Sequence, residues 1–145
     1  MEEVVRAGDT FTFDPAMTES TAREMWLLPS PGRTVVAAAG DGAVLGTAKM
    51  NPNQAGPGAH VASASYMVAA AHRGRGVGRA LVAHTIDWAR EAGYRGIQFN
   101  AVAASNARAI HLYESLGFEI VGTVPEAFLH PTQGYVGLHV MYRAL

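Results

Sequence analysis

Cysteine is absent from the 145-residue sequence, which excludes disulfides, a thiolate nucleophile and a thiolate zinc site and suits a reducing cytosol. Long apolar runs are absent too, and the start Met1-Glu2-Glu3 is acidic, so neither a signal peptide nor a membrane anchor is expected. Charge of one sign is missing: 11 basic against 12 acidic residues give a formal net charge of −1. No basic field recruits nucleic acid, and none of the chain reads as a polybasic membrane tag. Three chemical signatures are lacking as well. There is no Gly-Lys-Ser/Thr for a P-loop and no Gly-x-Ser-x-Gly elbow, and the six histidines form no His-Glu-x-x-His, so no metal is expected. What remains is a chain that is 49% hydrophobic, read as one globular domain over residues 1–145 and expected in the cytoplasm.

Against that background one stretch stands out, Ala70-Ala71-His72-Arg73-Gly74-Arg75-Gly76-Val77-Gly78-Arg79-Ala80-Leu81. An apolar, strand-like run from Val61 to Ala71 gives way here to a helical pattern, so glycines and arginines concentrate at a turn that opens a helix. The first turn of a helix has backbone N–H groups without intrahelical partners, and glycine lets a phosphate approach them with no Cβ in the way. Arg73, Arg75 and Arg79 add forks suited to phosphate oxygens. The spacing is not that of a dinucleotide fingerprint, because Gly74 and Gly76 are followed by Arg79, and Gly76 and Gly78 by Leu81. It is Arg73-x-x-Gly76-x-Gly78.

The remaining elements follow from periodicity and turn chemistry. Residues 1–16 read as an extended arm, and a helix is expected from Thr18 to Leu28 with Thr18 as N-cap and Met25 and Leu28 buried. Gly40-Asp41-Gly42 joins strands Arg33–Ala39 and Ala43–Met50 in a hairpin, and 51–58 is an irregular loop. Strand His60–Ala70, helix Val77–Glu91 and strand Arg95–Val102 come next, the last mostly apolar as if buried on both faces. Ser105 is expected to cap a helix ending at Gly117. Strands Phe118–Thr123 and Tyr135–Arg143 close the chain, joined by a loop holding Pro125 and Pro131.

Two blocks in this order resemble the GCN5-related N-acetyltransferase (GNAT) superfamily. Arg73-x-x-Gly76-x-Gly78 is similar to its acetyl-CoA pyrophosphate loop. Asn106-Ala107-Arg108-Ala109-Ile110-His111-Leu112-Tyr113-Glu114-Ser115-Leu116-Gly117-Phe118, which begins 33 residues after Arg73, is similar to its other signature. The likeness covers roughly residues 35 to 145. It implies an α/β layered fold with a mixed central sheet splayed at the cofactor site and helices on both faces. It also implies acetyl-CoA as cosubstrate, bound by Arg73, Gly74, Arg75, Gly76, Val77, Gly78 and Arg79, with backbone groups near Met67 and Val68 holding the pantetheine arm. Ala64–Val68, Arg95–Val102 and Glu119–Phe128 further resemble the subgroup of azetidine-2-carboxylate and proline-analogue acetyltransferases.

Catalytic expectations follow from the resemblance. Tyr113 would give a proton or hydrogen bond to the leaving CoA sulfur, and Asn106, two turns earlier on about the same face, would contact the cofactor arm. For Tyr113 the competing role is a packed aromatic, and for Asn106 a local cap. Asn100 would meet the acceptor's carboxylate or carbonyl, or serve as a polar strand residue satisfied by backbone. The strand before the turn carries no carboxylate, so the base falls to His60, to water on Ser63, Ser65 or Asn100, or to an amine already neutral. The expected partner is a small-molecule amine, proline-like or another amino acid. A protein or peptide acceptor and a non-catalytic acyl-CoA-binding module stay open, as does a homodimer paired or exchanged through Gly134–Tyr142.

Overall fold

The computed structural model describes residues 2–145. Its elements are α1 (Glu2–Ala7), α2 (Glu19–Trp26), β1 (Arg33–Ala38), β2 (Val44–Pro52), β3 (Val61–Val68), α3 (Val77–Glu91), β4 (Gly96–Ala103), α4 (Ala107–Ser115), β5 (Glu119–His130) and β6 (Gly134–Ala144). Single 3-10 turns cover Gly56–Gly58 and Ala70–His72. The strands are ordered β1-β2-β3-β4-β6-β5; β1 with β2, β2 with β3 and β5 with β6 pair antiparallel, and β3 pairs parallel with β4. This is a mixed α/β sheet with helices in its connections. The described residues group into two compact units, one of 23–97 with 144–145, the other of 2–22 with 98–143.

In the first unit, β1, β2 and β3 form an antiparallel meander, and α3 carries the chain to the start of β4. The core gathers Ala48 against Val77 and Leu81, with Val35, Ala37, Leu45, Tyr66 and Val68 packed around them. Gly46 permits this approach, because a Cβ there would lie 2.9 Å from the Met67 carbonyl oxygen and 3.0 Å from Val77 Cγ1. Along α3 the buried residues include Val77, Leu81, Ile86 and Trp88, the stripe expected from spacing. Thr85 is also fully buried, and its hydroxyl donates to the Leu81 carbonyl at 3.0 Å.

Several sequence expectations are corrected. Residues 2–7 are helical rather than extended: Glu2 and Arg6 pair at 2.7 Å one turn apart, and Val4 and Val5 are buried. The second helix ends at Trp26, so Leu28 lies beyond it and Trp26 is its buried residue; the Thr18 hydroxyl does accept from the Thr21 amide at 3.2 Å. The loop expected from Pro125 is mostly strand, because β5 runs to His130 with a register shift between Val124 and Phe128. An edge strand tolerates a proline, whose missing N–H costs no ladder bond, and the shift absorbs Pro125–Ala127, with Glu126 at φ 52°. The N-cap of α4 is Asn106, not Ser105: its side-chain oxygen accepts from the Ala109 amide at 3.2 Å, while the Ser105 hydroxyl is buried without a hydrogen bond among the described residues.

In the second unit β5 and β6 pair antiparallel, and Gly134–Tyr142 stands inside the strand order rather than at its edge. β4 is buried at both ends, but Asn100 and Ala101 are exposed, against the expectation of burial on both faces.

Candidate active site

The glycine–arginine turn has the form the sequence implies. β3 ends at Val68, a single 3-10 turn follows, and Gly76 sits left-handed at φ 81° as the residue before α3. Only glycine adopts that geometry without strain. A Cβ at Gly74 or Gly76 would meet nothing within 4 Å, so the surface beside them is open. The first helical bond runs from the Ala80 amide to the Gly76 carbonyl at 3.0 Å, which leaves the amides of Val77 and Gly78 outside the α3 ladder. Gly78 is the second helical residue rather than part of the turn. Arg73, Arg75 and Arg79 are exposed, and Arg75 Nη1 donates to His72 Nδ1 at 3.2 Å, bracing the turn. Backbone donors, the positive end of a 15-residue helix and three guanidinium groups fit a pyrophosphate.

Upstream in the same unit, Met67 and Val68 pair with Thr47 and Gly46 on β2. The parallel pairing of β3 with β4 runs over Val61 with Gly96 and Ala62 with Ile97. His60 is exposed and its Nδ1 donates to the Pro57 carbonyl at 2.9 Å, so it braces the preceding loop.

In the other unit, Tyr113 on α4 joins an aromatic nest. Its ring centroid lies 4.6 Å from that of Phe99 and 6.0 Å from that of Phe118, and Phe99 stacks on Phe118 at 4.4 Å. The Phe118 amide bonds the Tyr113 carbonyl at 3.1 Å, and Gly117, left-handed at φ 82°, closes the helix. Burial pushes the Tyr113 phenol up to about 12. Asn106 caps the same helix, and on β4 the Asn100 side-chain oxygen accepts from Gln98 Nε2 at 2.8 Å. The local cap expected as the alternative role of Asn106 is thus present, while the partner seen for Asn100 is a side chain rather than the backbone. A cavity of about 430 Å³ bordered by Glu2, Arg6, Met17 and Glu19 contains none of these residues. Among the described residues no cluster of His, Cys, Asp or Glu could hold a metal, and no helix is long and apolar enough to cross a membrane.

Comparison with known proteins bears on the fold and the family. A GNAT-family N-acetyltransferase from Kribbella flavida is 61% identical, over 99% of this chain and 87% of that one, with a TM-score of 0.97. N-acetyltransferase aca1 of Schizosaccharomyces pombe is 26% identical over 94% of this chain and 72% of its own. L-amino acid N-acyltransferase MnaT of Escherichia coli is 33% identical over 46% of this chain and 38% of its own. The fold is shared with a Sinorhizobium meliloti phosphinothricin acetyltransferase solved in complex with AcCoA, at 21% identity over 99% of this chain and 78% of that one, TM-score 0.88. The model of the Acetyltransferase (GNAT) family matches residues 3–118, which takes in both the glycine–arginine turn and the Asn106–Phe118 block. With fold, turn and family model in agreement, this chain is a member of the GNAT acetyltransferase family.

Proposed function

We propose that the chain is an acetyl-CoA-dependent N-acetyltransferase of small-molecule amines, with a proline-like or other amino acid as acceptor and residues 1–145 working as one functional domain. The observation that carries the reading is the left-handed Gly76 opening α3, with the Val77 and Gly78 amides outside the helix ladder. The likeness to an L-amino acid N-acyltransferase supports the acceptor class. The cytoplasmic setting proposed for it rests on a sequence without cysteine, which suits a reducing compartment.

Acetyl-CoA supplies a thioester carbonyl; the acceptor amine attacks it, the N–C bond forms, the C–S bond breaks and CoA leaves. The α3 amides with Arg73, Arg75 and Arg79 hold the pyrophosphate. Backbone groups of Met67 and Val68 align the arm, and one amide polarises the carbonyl as its oxygen gains charge. Asn106 has its side-chain oxygen committed to the cap and contacts the arm through its amide nitrogen. Tyr113 stays protonated at any working pH, because its phenol lies near 12. Since a thiol titrates near about 8.5, full transfer of the phenol proton to the thiolate is uphill, so Tyr113 acts as a hydrogen-bond donor to the sulfur. Asn100 meets the carboxylate or carbonyl of the acceptor. Removal of the ammonium proton falls to water on Ser63, Ser65 or Asn100, or the acceptor arrives neutral.

The test is thiol release from acetyl-CoA against free amino acids, cyclic imino acids, polyamines and short peptides, run beside calorimetric titration of acetyl-CoA. Release with amino or imino acids is expected. Release only with peptides would move the acceptor to protein chains, and failure to bind acetyl-CoA would overturn the reading.

A further inference from the structure

Of the eleven basic side chains, ten are arginine and only Lys49 is lysine. It lies on β2 in register with Thr34 on β1 and Ser65 on β3, so the three side chains stand in a row across one face of the meander. The neighbours Ala48 and Tyr66, one residue out of phase, face the opposite way and pack with Val77 and Leu81 of α3. Lys49 is half-buried: its Nζ donates to the Met25 carbonyl at 3.2 Å and sits 5.5 Å from the centre of the Trp26 ring. Trp26 is itself fixed by its indole N–H, which donates to the Thr47 hydroxyl at 3.0 Å.

No carboxylate pairs with Lys49 among the described residues, and burial alone lowers its pKa. A half-desolvated ammonium with one carbonyl partner has two N–H donors left and no counter-charge, an arrangement that an anion stabilises. Beside it the Ser65 hydroxyl, and two residues earlier on the same face the Ser63 hydroxyl, make no hydrogen bond among the described residues. The Thr34 hydroxyl is already engaged by the Trp26 carbonyl and the Leu28 amide. One lysine and one serine therefore stand side by side on this face with donors open.

We infer that Lys49, with Ser65 beside it, binds the carboxylate of the acceptor and so selects free amino acids over amines that lack an α-carboxylate. The inference rests on the N-acetyltransferase reading. Its geometry is suitable because Ser65 and Met67 are two residues apart on one face of β3, about 7 Å, so a carboxylate held at Ser65 leaves an α-amine directed toward the Met67 backbone.

The experiment compares kcat and KM for a set of free L-amino acids with those for the matching L-amino-acid amides, in the wild type, Lys49→Met and Lys49→Arg. The wild type should prefer the acids, and Lys49→Met should raise their KM about 10- to 100-fold while kcat and acetyl-CoA affinity hold. Lys49→Arg should recover part of the preference, which separates lost charge from lost folding. Equal use of acids and amides by the wild type, or an unchanged preference in Lys49→Met, overturns the inference. If no amine is acetylated, the functional reading falls by itself, and the lysine is judged by labelling. With a single lysine, mass spectrometry after an amine-selective acylating reagent reads Lys49 and the α-amine as two separate peptides. Amino acids that slow labelling of Lys49, where their amides do not, support the carboxylate site; absence of protection overturns it.

Discussion

The glycine–arginine turn and the nest around Tyr113 solve opposite problems. The turn is exposed, made of backbone amides and a left-handed glycine, and its arginines reach outward from a surface that a Cβ would not crowd. The nest is packed: three aromatic rings crowd together, and the same packing that orients the phenol shifts its acidity. A backbone-built seat depends on conformation and is nearly indifferent to side-chain volume. A side-chain-built donor depends on its surroundings, so its chemistry cannot change without changing the packing.

That contrast can be broken most sharply at Gly76. Gly76→Val puts a β-branched residue at φ 81°, where there is room for the side chain but not for the backbone conformation, at a cost of about 1–2 kcal/mol or more. A displaced helix start should weaken acetyl-CoA binding by about 100-fold in a protein that remains folded, read by calorimetry and circular dichroism. Unchanged affinity would mean that the turn is not the seat. Next comes Tyr113→Phe, which keeps the ring among Phe99 and Phe118 and removes only the donor. Turnover should fall by about 10- to 100-fold with acetyl-CoA affinity unaltered, and equal turnover would leave Tyr113 as packing alone.

Asn106→Ala sharpens the comparison on the stability side. Loss of the cap at Ala109 should cost about 1 kcal/mol and lower the melting temperature by about 2–4 °C, measurable by calorimetry. The smallest effect lies at high pH. Tyr113 has a folded-state pKa above its usual value of 10, so its contribution to stability is complete below pH 10 and is lost as pH rises through about 12. Alkaline unfolding should therefore show a slope in that window, and Tyr113→Phe should flatten it.

Much of the site is legible in the chain because glycine leaves few alternatives. Gly74, Gly76 and Gly117 all take positive φ, and each marks a boundary that sequence reasoning finds. The missed elements share a different cause, in that tertiary packing decided them. Six residues of α1 are too few to show a period, and burial of Val4 and Val5 holds them helical. Pro125 reads as a turn, yet position at a sheet edge lets the strand continue past it. Ser105 and Asn106 are both good caps by type, and only the Ala109 amide tells them apart. Sequence reading passes over Lys49, the sole lysine, because the lack of a paired carboxylate among the described residues emerges only when β1, β2 and β3 are set in register.

The interruption in β5 bears on how the protein behaves at concentration. Val121, Val124 and Leu129 are more than half exposed on a 12-residue strand at the margin of the sheet, the composition of a segment that templates the growth of neighbouring chains. Pro125 withholds a donor midway, and the left-handed Glu126 beside it turns the backbone and puts a carboxylate there. The free margin is thereby cut into a six-residue and a shorter length, which limits how far a neighbouring chain can pair along it, and colloidal tolerance rests in part on Pro125 and Glu126.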